Sequence, residues 1–481
     1  MIALQPGAHV HLVGVAGTAM GALAGLLQQA GYRVTGSDAE IYPPISTQLA
    51  AMKIPVCEGY RSENLESRPD LTIIGNAISR GNAELEAVLD LKLPYASLPE
   101  ILRELFLSSR ETIAIAGTHG KTTVTSILSW IFHSAGLQPG FLIGGVPNNF
   151  PCGYDSGPAD SRYFIIEADE YDTAFFDKGP KFLHYRPDAA ILTSIEFDHA
   201  DIYRDLEAVT VAFQRLINLI PRRGYLAACA ESEIIRQACE RAFCTVETYG
   251  IEQGDWRASE IETSTTGTSF AVAFRGQHKG RITMQLSGRH NVHNVLGAVA
   301  MASHYGIAWS EIERAMVSFA GVRRRMEVVG EAAGVTIVDD FAHHPTAIRE
   351  TLHAARAKFS GRRIWALLEP RSNTLRRNVF ENELADALSV ADQVMLAGVF
   401  KQDRIPESER MNLDHVSKLI AGRGVAVEMG STTEQIVSRL SALVMPGDVI
   451  VVMSNGGFGG IHGKLLQAVQ QKMVVISPSN S

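Results

Sequence analysis

The chain has 481 residues, too many for one ordinary hydrophobic core, so two to four domains are expected. With 46% hydrophobic residues, 20% charged residues and a net charge of −8, it reads as a globular protein with no general affinity for nucleic acid or anionic membrane. The five cysteines, Cys57, Cys152, Cys229, Cys239 and Cys244, are scattered and form no CxxC pair, which argues against a disulfide framework or zinc site and for a reducing compartment.

No basic leader precedes an apolar core, and no apolar run reaches membrane-spanning length, so no membrane insertion and a cytoplasmic location are expected. The chain opens with a strand in "HVHLVGV", a glycine turn, a helix through Leu27 and a second strand in "YRVTGSD". "LTIIGNAI" and "LPYASL" supply further strands. The turn glycines Gly14, Gly17 and Gly21 resemble the G-x-G-x-x-G fingerprint without matching it, because Ala16 stands where the second glycine belongs. Asp38 ends the second strand, about where a ribose-binding acid would be. A nicotinamide-dependent dehydrogenase is therefore a rival reading, weakened by Ala16, since the second glycine is what lets backbone approach a pyrophosphate.

After a break near Ser108 to Glu111 comes "IAIAGTHGKTTVTSIL", a buried strand, a glycine-bounded turn and a helix start. Successive backbone N–H groups in such a turn face an anion, and the helix dipole favours it. Gly117, Thr118, His119, Gly120, Lys121, Thr122 and Thr123 are thus candidate nucleotide-phosphate ligands. Only two residues separate Gly117 from Gly120, where the common P-loop has four. The strand "YFIIEAD" then ends in Glu167, Asp169, Glu170 and Asp172, and "AAILTSI" leads to Glu196, Asp198 and His199. Acids and a histidine at the ends of parallel strands beside a phosphate loop are where a metal would sit. The Ser/Thr-rich stretch from Gly254 to Gly280 breaks the alternation and reads as a hairpin of solvated strands. "SGRHNVHN" opens a helix on which His290, Asn291 and Asn294 share a face, with polar groups expected to point outward.

From Gly321 onward, "GVTIVDD", "RRIWALLEP", "ADQVMLAGV" and "GDVIVVMSN" are buried-type strands separated by helices. "GVRRRMEVVG" concentrates arginines near a domain junction, where one would clamp a γ-phosphate. The expected fold class is α/β, with three domains each built on a mainly parallel sheet with flanking helices. Their expected bounds are 1–109, 110–320 and 321–481, with Rossmann-like first and last domains around a P-loop-type ATPase domain.

In this order, "GVAGTAMGALA", "GTHGKTT", "EADEYD", "EFDHAD", "GRHNVHN", "RRRMEV" and "DDFAHHPTA" resemble the Mur ligases, ATP-dependent amide-forming enzymes of peptidoglycan synthesis, over nearly the whole chain. "IEADEYDTAFFDK", "LEPRSNTLRR" and "VMSNGGFGGIHGKLL" resemble the branch that joins the murein tripeptide L-alanyl-γ-D-glutamyl-meso-diaminopimelate to UDP-N-acetylmuramate. The branch that adds free L-alanine is the near alternative.

The resemblance implies ATP as co-substrate and two Mg²⁺ ions. Lys121 and the loop amides would hold the phosphates, Thr122 and Glu167 one Mg²⁺, and His199 the other. Asn291 and Asn294 would read adenine, Arg325 the γ-phosphate and Asp340 the ribose, with Phe341 near the base. Gly14, Gly17, Thr18, Asp38, Asn76, Ala77 and Ile78 would bind the UDP-sugar, and His344, Arg371, Asn455, Gly456 and Gly457 the peptide. Many family members bridge the second metal with a carbamylated lysine, but no lysine lies here between Lys181 and Lys279. Either Glu170 or water would complete that site, or the second metal would bind more weakly.

Overall fold

A computed structural model describes residues 4–41 and 45–476 of the chain. Three sheets succeed one another along the sequence. The first is five-stranded and wholly parallel, in the order Val56–Glu58, Arg33–Asp38, His9–Val13, Leu71–Ile74, Tyr95–Ser97. Its central strand His9–Val13 is buried along its whole length, as a strand covered on both faces must be.

The second sheet has ten strands, with the phosphate-loop strand Glu111–Ala116 between Tyr163–Ala168 and Ala189–Leu192. All three are parallel and in step: Ala116 lies opposite both Ala168 and Leu192. The loops that follow them therefore leave the sheet at one level, on the C-terminal edge where ligands bind in open α/β sheets. The helix Lys121–Ser134 packs against the helix Arg289–His304, which sets Asn291 and Asn294 below the phosphate loop.

The third sheet is six-stranded, in the order Glu327–Ala332, Val335–Asp340, Val449–Met453, Ile364–Leu368, Gln393–Ala397, Ala426–Gly430. Every pair is parallel except the first, an antiparallel hairpin turned at Ala333 and Gly334.

The structure departs from the expected pattern at sheet edges. The stretch read as a solvated hairpin is a three-stranded antiparallel extension of the central sheet, Trp256–Ser264, Gly267–Phe274 and Gln277–Met284. One of its faces is core: Trp256, Ala258, Phe270, Val272, Ile282 and Met284 are buried. Connections of two residues leave no room for a crossover helix, so neighbouring strands must run antiparallel. A short hairpin, Asp172–Ala174 with Asp177–Pro180, also follows the acidic strand. No helix among the described residues is long and apolar enough to cross a membrane.

Candidate active site

The phosphate loop is held by its neighbour strand. Thr118 N–H donates to the Ser194 carbonyl at 3.0 Å and His119 N–H to Ser194 Oγ at 2.9 Å. Gly117 and Gly120 have φ of +132° and +83°, conformations that L side chains rarely adopt. A Cβ at Gly117 would lie 2.1 Å from Thr193 Oγ1, and one at Gly120 would lie 2.5 Å from Asn294 Oδ1. Both glycines are required by closeness as well as by φ.

Lys121 is the first residue of the following helix and is buried. Its ammonium donates to the Gly117 carbonyl at 2.7 Å and to Glu170 Oε2 at 3.0 Å. Burial opposes its charge, but Glu170, Asp169 and Glu167 together outweigh burial and hold its pKa above the usual lysine value. Thr122 Oγ1 donates to Glu167 Oε1 at 2.9 Å, while Glu167 Oε2 accepts from Gly144 N–H. Burial, then Asp169, raises the Glu167 carboxyl to about 6 against the pull of Lys121. A hydroxyl and a buried carboxylate converging beside a phosphate loop form a hard-oxygen set that fits Mg²⁺.

His199 sits across the same space, with Nε2 3.5 Å from Glu170 Oε1 and 3.7 Å from Asp198 Oδ2. Burial works against its charge, but the Glu170 and Asp198 carboxylates keep its pKa raised. Its φ of +56° is left-handed, a conformation stabilised here by the bond from its own N–H to Asp198 Oδ1 at 2.7 Å. Glu170 thus lies within reach of the second metal position expected at His199. Asp172 is not part of this cluster; it pairs with Lys178 in the hairpin.

The third sheet closes over this edge. Arg325 Nη2 lies 3.5 Å from Thr122 Oγ1, so the guanidinium reaches the helix start beside the phosphate loop. Thr374 Oγ1 donates to Asp198 Oδ1 at 2.6 Å and accepts from Ala200 N–H at 3.2 Å. Asn373 Nδ2 donates to Asp201, and Thr346 Oγ1 to Glu196 Oε2 at 2.7 Å. A cavity of about 420 Å³ remains between the two parts, lined by His199, Tyr171 and Asp198 on one side and by Phe341, His343, Arg371, Asn455 and Thr374 on the other. Arg376, Lys401 and Arg404 add positive charge to its wall. The Arg371 guanidinium carbon sits over the Phe400 ring, 3.7 Å from its centroid, and a Cβ at Gly456 would strike the side chain. Its in-plane N–H groups make no hydrogen bond among the described residues, and Glu369 is 3.7 Å away. Asn455 Oδ1 is likewise buried without a partner among them.

Several expected site residues stand differently. His344 does not enter the cavity; it caps the helix Pro345–Lys358 and turns toward Phe197, His119 and Glu196, while its neighbour His343 lines the cavity. In extended chain adjacent side chains point to opposite sides, so only one of the two histidines can face the peptide. Asn291 and Asn294 do not point outward: both are buried, Asn291 bonds the Ser287 carbonyl, and Asn294 Nδ2 bonds Asn291 Oδ1. Asp340 is buried and accepts from Met326 N–H, Ala342 N–H and Thr351 Oγ1, so it also braces the strand end. Phe341 has the Arg324 and Arg325 guanidiniums about its ring, 5.0 and 5.1 Å from the centroid, and lines the cavity.

In the first sheet Gly14 (φ +87°), Gly17, Thr18, Asn76, Ala77 and Ile78 gather at one edge, Ile78 lying against Gly14. Asp38 accepts from Ala16 N–H and Tyr60 OH, so it ties the glycine turn together. Residues that pattern alone did not single out include Ser194, Gly144 and Thr374, whose roles depend on contacts between distant segments. Gly457 meets nothing within 4 Å, and Gly456 O accepts from Arg324.

Comparison with known proteins agrees with this architecture. Residues 9–110 match the Mur ligase family catalytic domain, 115–302 the Mur ligase middle domain and 324–456 the Mur ligase glutamate ligase domain. The UDP-N-acetylmuramate–L-alanyl-γ-D-glutamyl-meso-2,6-diaminoheptandioate ligase of Escherichia coli K12 is 43% identical over 96% of this chain and 99% of its own. The UDP-N-acetylmuramate–L-alanine ligase of Syntrophobacter fumaroxidans is 34% identical over 95% of each. A crystal structure of a murein peptide ligase from Psychrobacter arcticus is 38% identical and superposes with a TM-score of 0.74, covering 96% of this chain and 99% of that one. With a shortened phosphate loop, a metal-type acid and histidine at adjoining strand ends, and matches in all three parts, the chain belongs to the Mur ligase family of ATP-dependent, ADP-forming ligases.

Proposed function

We propose that the protein joins L-alanyl-γ-D-glutamyl-meso-diaminopimelate to UDP-N-acetylmuramate at the expense of ATP, within the cytoplasmic recycling of peptidoglycan. Residues 1–109 bind the UDP-sugar through the Gly14 turn and the Asn76–Ile78 loop, residues 110–320 bind ATP, and residues 321–481 close over it and bind the peptide. A carboxylate does not acylate an amine at neutral pH because oxide is too poor a leaving group. The lactyl carboxylate therefore attacks the γ-phosphorus of ATP, ADP departs, and the resulting acyl phosphate carries phosphate as its leaving group. The alanyl amine adds to that carbonyl, and the tetrahedral adduct expels phosphate and leaves the amide.

Two anions must approach each other in the first step. Lys121 and Arg325 supply positive charge at the phosphates. Thr122 and Glu167 would hold one Mg²⁺, and His199 with Glu170 a second; such ions neutralise phosphate charge. The contacts of Thr374, Asn373 and Thr346 across the closed edge keep water from the acyl phosphate.

One observation carries the choice of amine. The cavity that opens at His199 is walled by Arg371, Arg376, Lys401 and Arg404. That charge suits a peptide bearing carboxylates along its length, and free alanine would reach only part of it. Phosphate release by purified protein with UDP-N-acetylmuramate and a panel of amines tests the reading. Turnover is expected with the tripeptide and not with NADH-linked substrates, and turnover confined to L-alanine would contradict it.

A further inference from the structure

His119, Glu196 and His344 offer one ligand atom each, all within 4.8 Å of one another. The phosphate loop supplies the first, the loop after Ala189–Leu192 the second, and the closing third sheet the last. This cluster is separate from the Thr122, Glu167 and His199 set. His119 Nε2 is 3.3 Å from Glu196 Oε2, and His344 Nδ1 is 3.6 Å from the same oxygen. A charge-assisted hydrogen bond would be shorter, about 2.7–2.9 Å. Ligands on a tetrahedral ion with bonds of about 2.0–2.1 Å stand about 3.3–3.4 Å apart, close to both separations.

The protonation pattern is also a ligand's. His344 Nε2 faces the Phe197 carbonyl at 3.2 Å, a contact only an N–H can make, and Nδ1 accepts a long 3.3 Å bond from Thr346 N–H. That combination puts the proton on Nε2, as when a backbone carbonyl orients a metal-bound imidazole, and leaves the Nδ1 lone pair on a long helix-cap bond that a metal ion would have to replace. Glu196 is oriented in turn by Thr346 Oγ1 at 2.7 Å.

We propose that His119, Glu196 and His344 form a transition-metal site, of the two-histidine, one-carboxylate kind that suits Zn²⁺ with an open fourth position. Imidazole nitrogens favour Zn²⁺ or Co²⁺ over Mg²⁺, so this site and the oxygen-rich one select different ions. Because its ligands come from both sides of the closed edge, an ion here ties the third sheet to the phosphate loop.

The test is a Co²⁺ titration of the full-length protein in excess Mg²⁺, which fills the oxygen-rich site. Four-coordinate Co²⁺ absorbs strongly in the visible and six-coordinate Co²⁺ weakly. A strong visible band at one equivalent, displaced by Zn²⁺, is expected for the unmodified protein and for H199N. Loss of the band is expected in E196Q and in H344Q. Zn²⁺ should raise the melting temperature of the unmodified protein and leave that of H344Q unchanged, a readout that also shows the variant is folded. No strong band, a band that persists in both variants, or one accompanied by thiolate-to-cobalt charge transfer overturns the proposal.

Discussion

Replacing Lys121 by methionine separates the two jobs this lysine performs. In the protein without nucleotide its ammonium is buried with Glu170, 7% and 2% exposed as side chains and 3.0 Å apart. Removing the cation leaves the Glu170 carboxylate with His199 alone, at 3.5 Å. Breaking a buried pair from one side costs about 3–5 kcal/mol, because an uncompensated charge stays buried. Lys121→Met should therefore destabilise the central part of the chain by about that much, read as an earlier denaturant transition through the fluorescence of Trp130, Trp256 and Trp309. Adding Glu170→Gln removes the stranded charge, and stability should return to within about 1 kcal/mol. Turnover should not return: loss of one charged donor at the phosphates costs at least ~3 kcal/mol of transition-state stabilisation, more than ~10²-fold in rate. The reasoning fails if Lys121→Met unfolds where the unmodified protein does, or if the double variant regains phosphate release.

Gly120→Ala combines a left-handed φ with a Cβ 2.5 Å from Asn294 Oδ1. It should weaken ATP binding by at least ~10-fold in calorimetry and also lower the melting temperature, since the left-handed strain alone costs about 1–2 kcal/mol. Thr374→Val removes the bond to Asp198 and the acceptor for Ala200 N–H, a loss of about 1–3 kcal/mol from the closed form. Its radius of gyration by small-angle scattering should rise, and an unchanged value would mean that closure rests elsewhere. Arg371→Ala should raise KM for the tripeptide by about 10–100-fold, the equivalent of about 1.5–3 kcal/mol, with ATP affinity unaltered. Loss of ATP binding in that variant would move Arg371 to the nucleotide.

The parallel strands were legible because strands covered on both faces must be continuous apolar runs, as "IAIA", "AAIL" and "VIVVM" are. The gathering of polar side chains was legible where they follow such a run directly, as at Lys121, Glu167 and His199. Edge strands were not, since the Gly254–Gly280 stretch alternates polar and apolar residues and only the helices packed against it make one face core. Nor could one chain position tell His343 from His344, or show that Asp38 and Asp340 spend their carboxylates on nearby N–H groups. Such outcomes depend on which way a loop residue faces once another sheet closes on it. Glu170 was one of four acids in a short run, and only the position of Lys121 singles it out as the partner.

The identity of the amine is the claim most directly open to measurement. Equal amounts of the tripeptide and L-alanine, competing for limiting UDP-N-acetylmuramate in the presence of ATP and Mg²⁺, give two products that differ in mass. The cation-walled cavity beside His199 predicts that the tripeptide product dominates, and that Arg371→Ala erodes its lead. A product mixture dominated by UDP-N-acetylmuramoyl-L-alanine would contradict the account and make the protein an alanine-adding ligase.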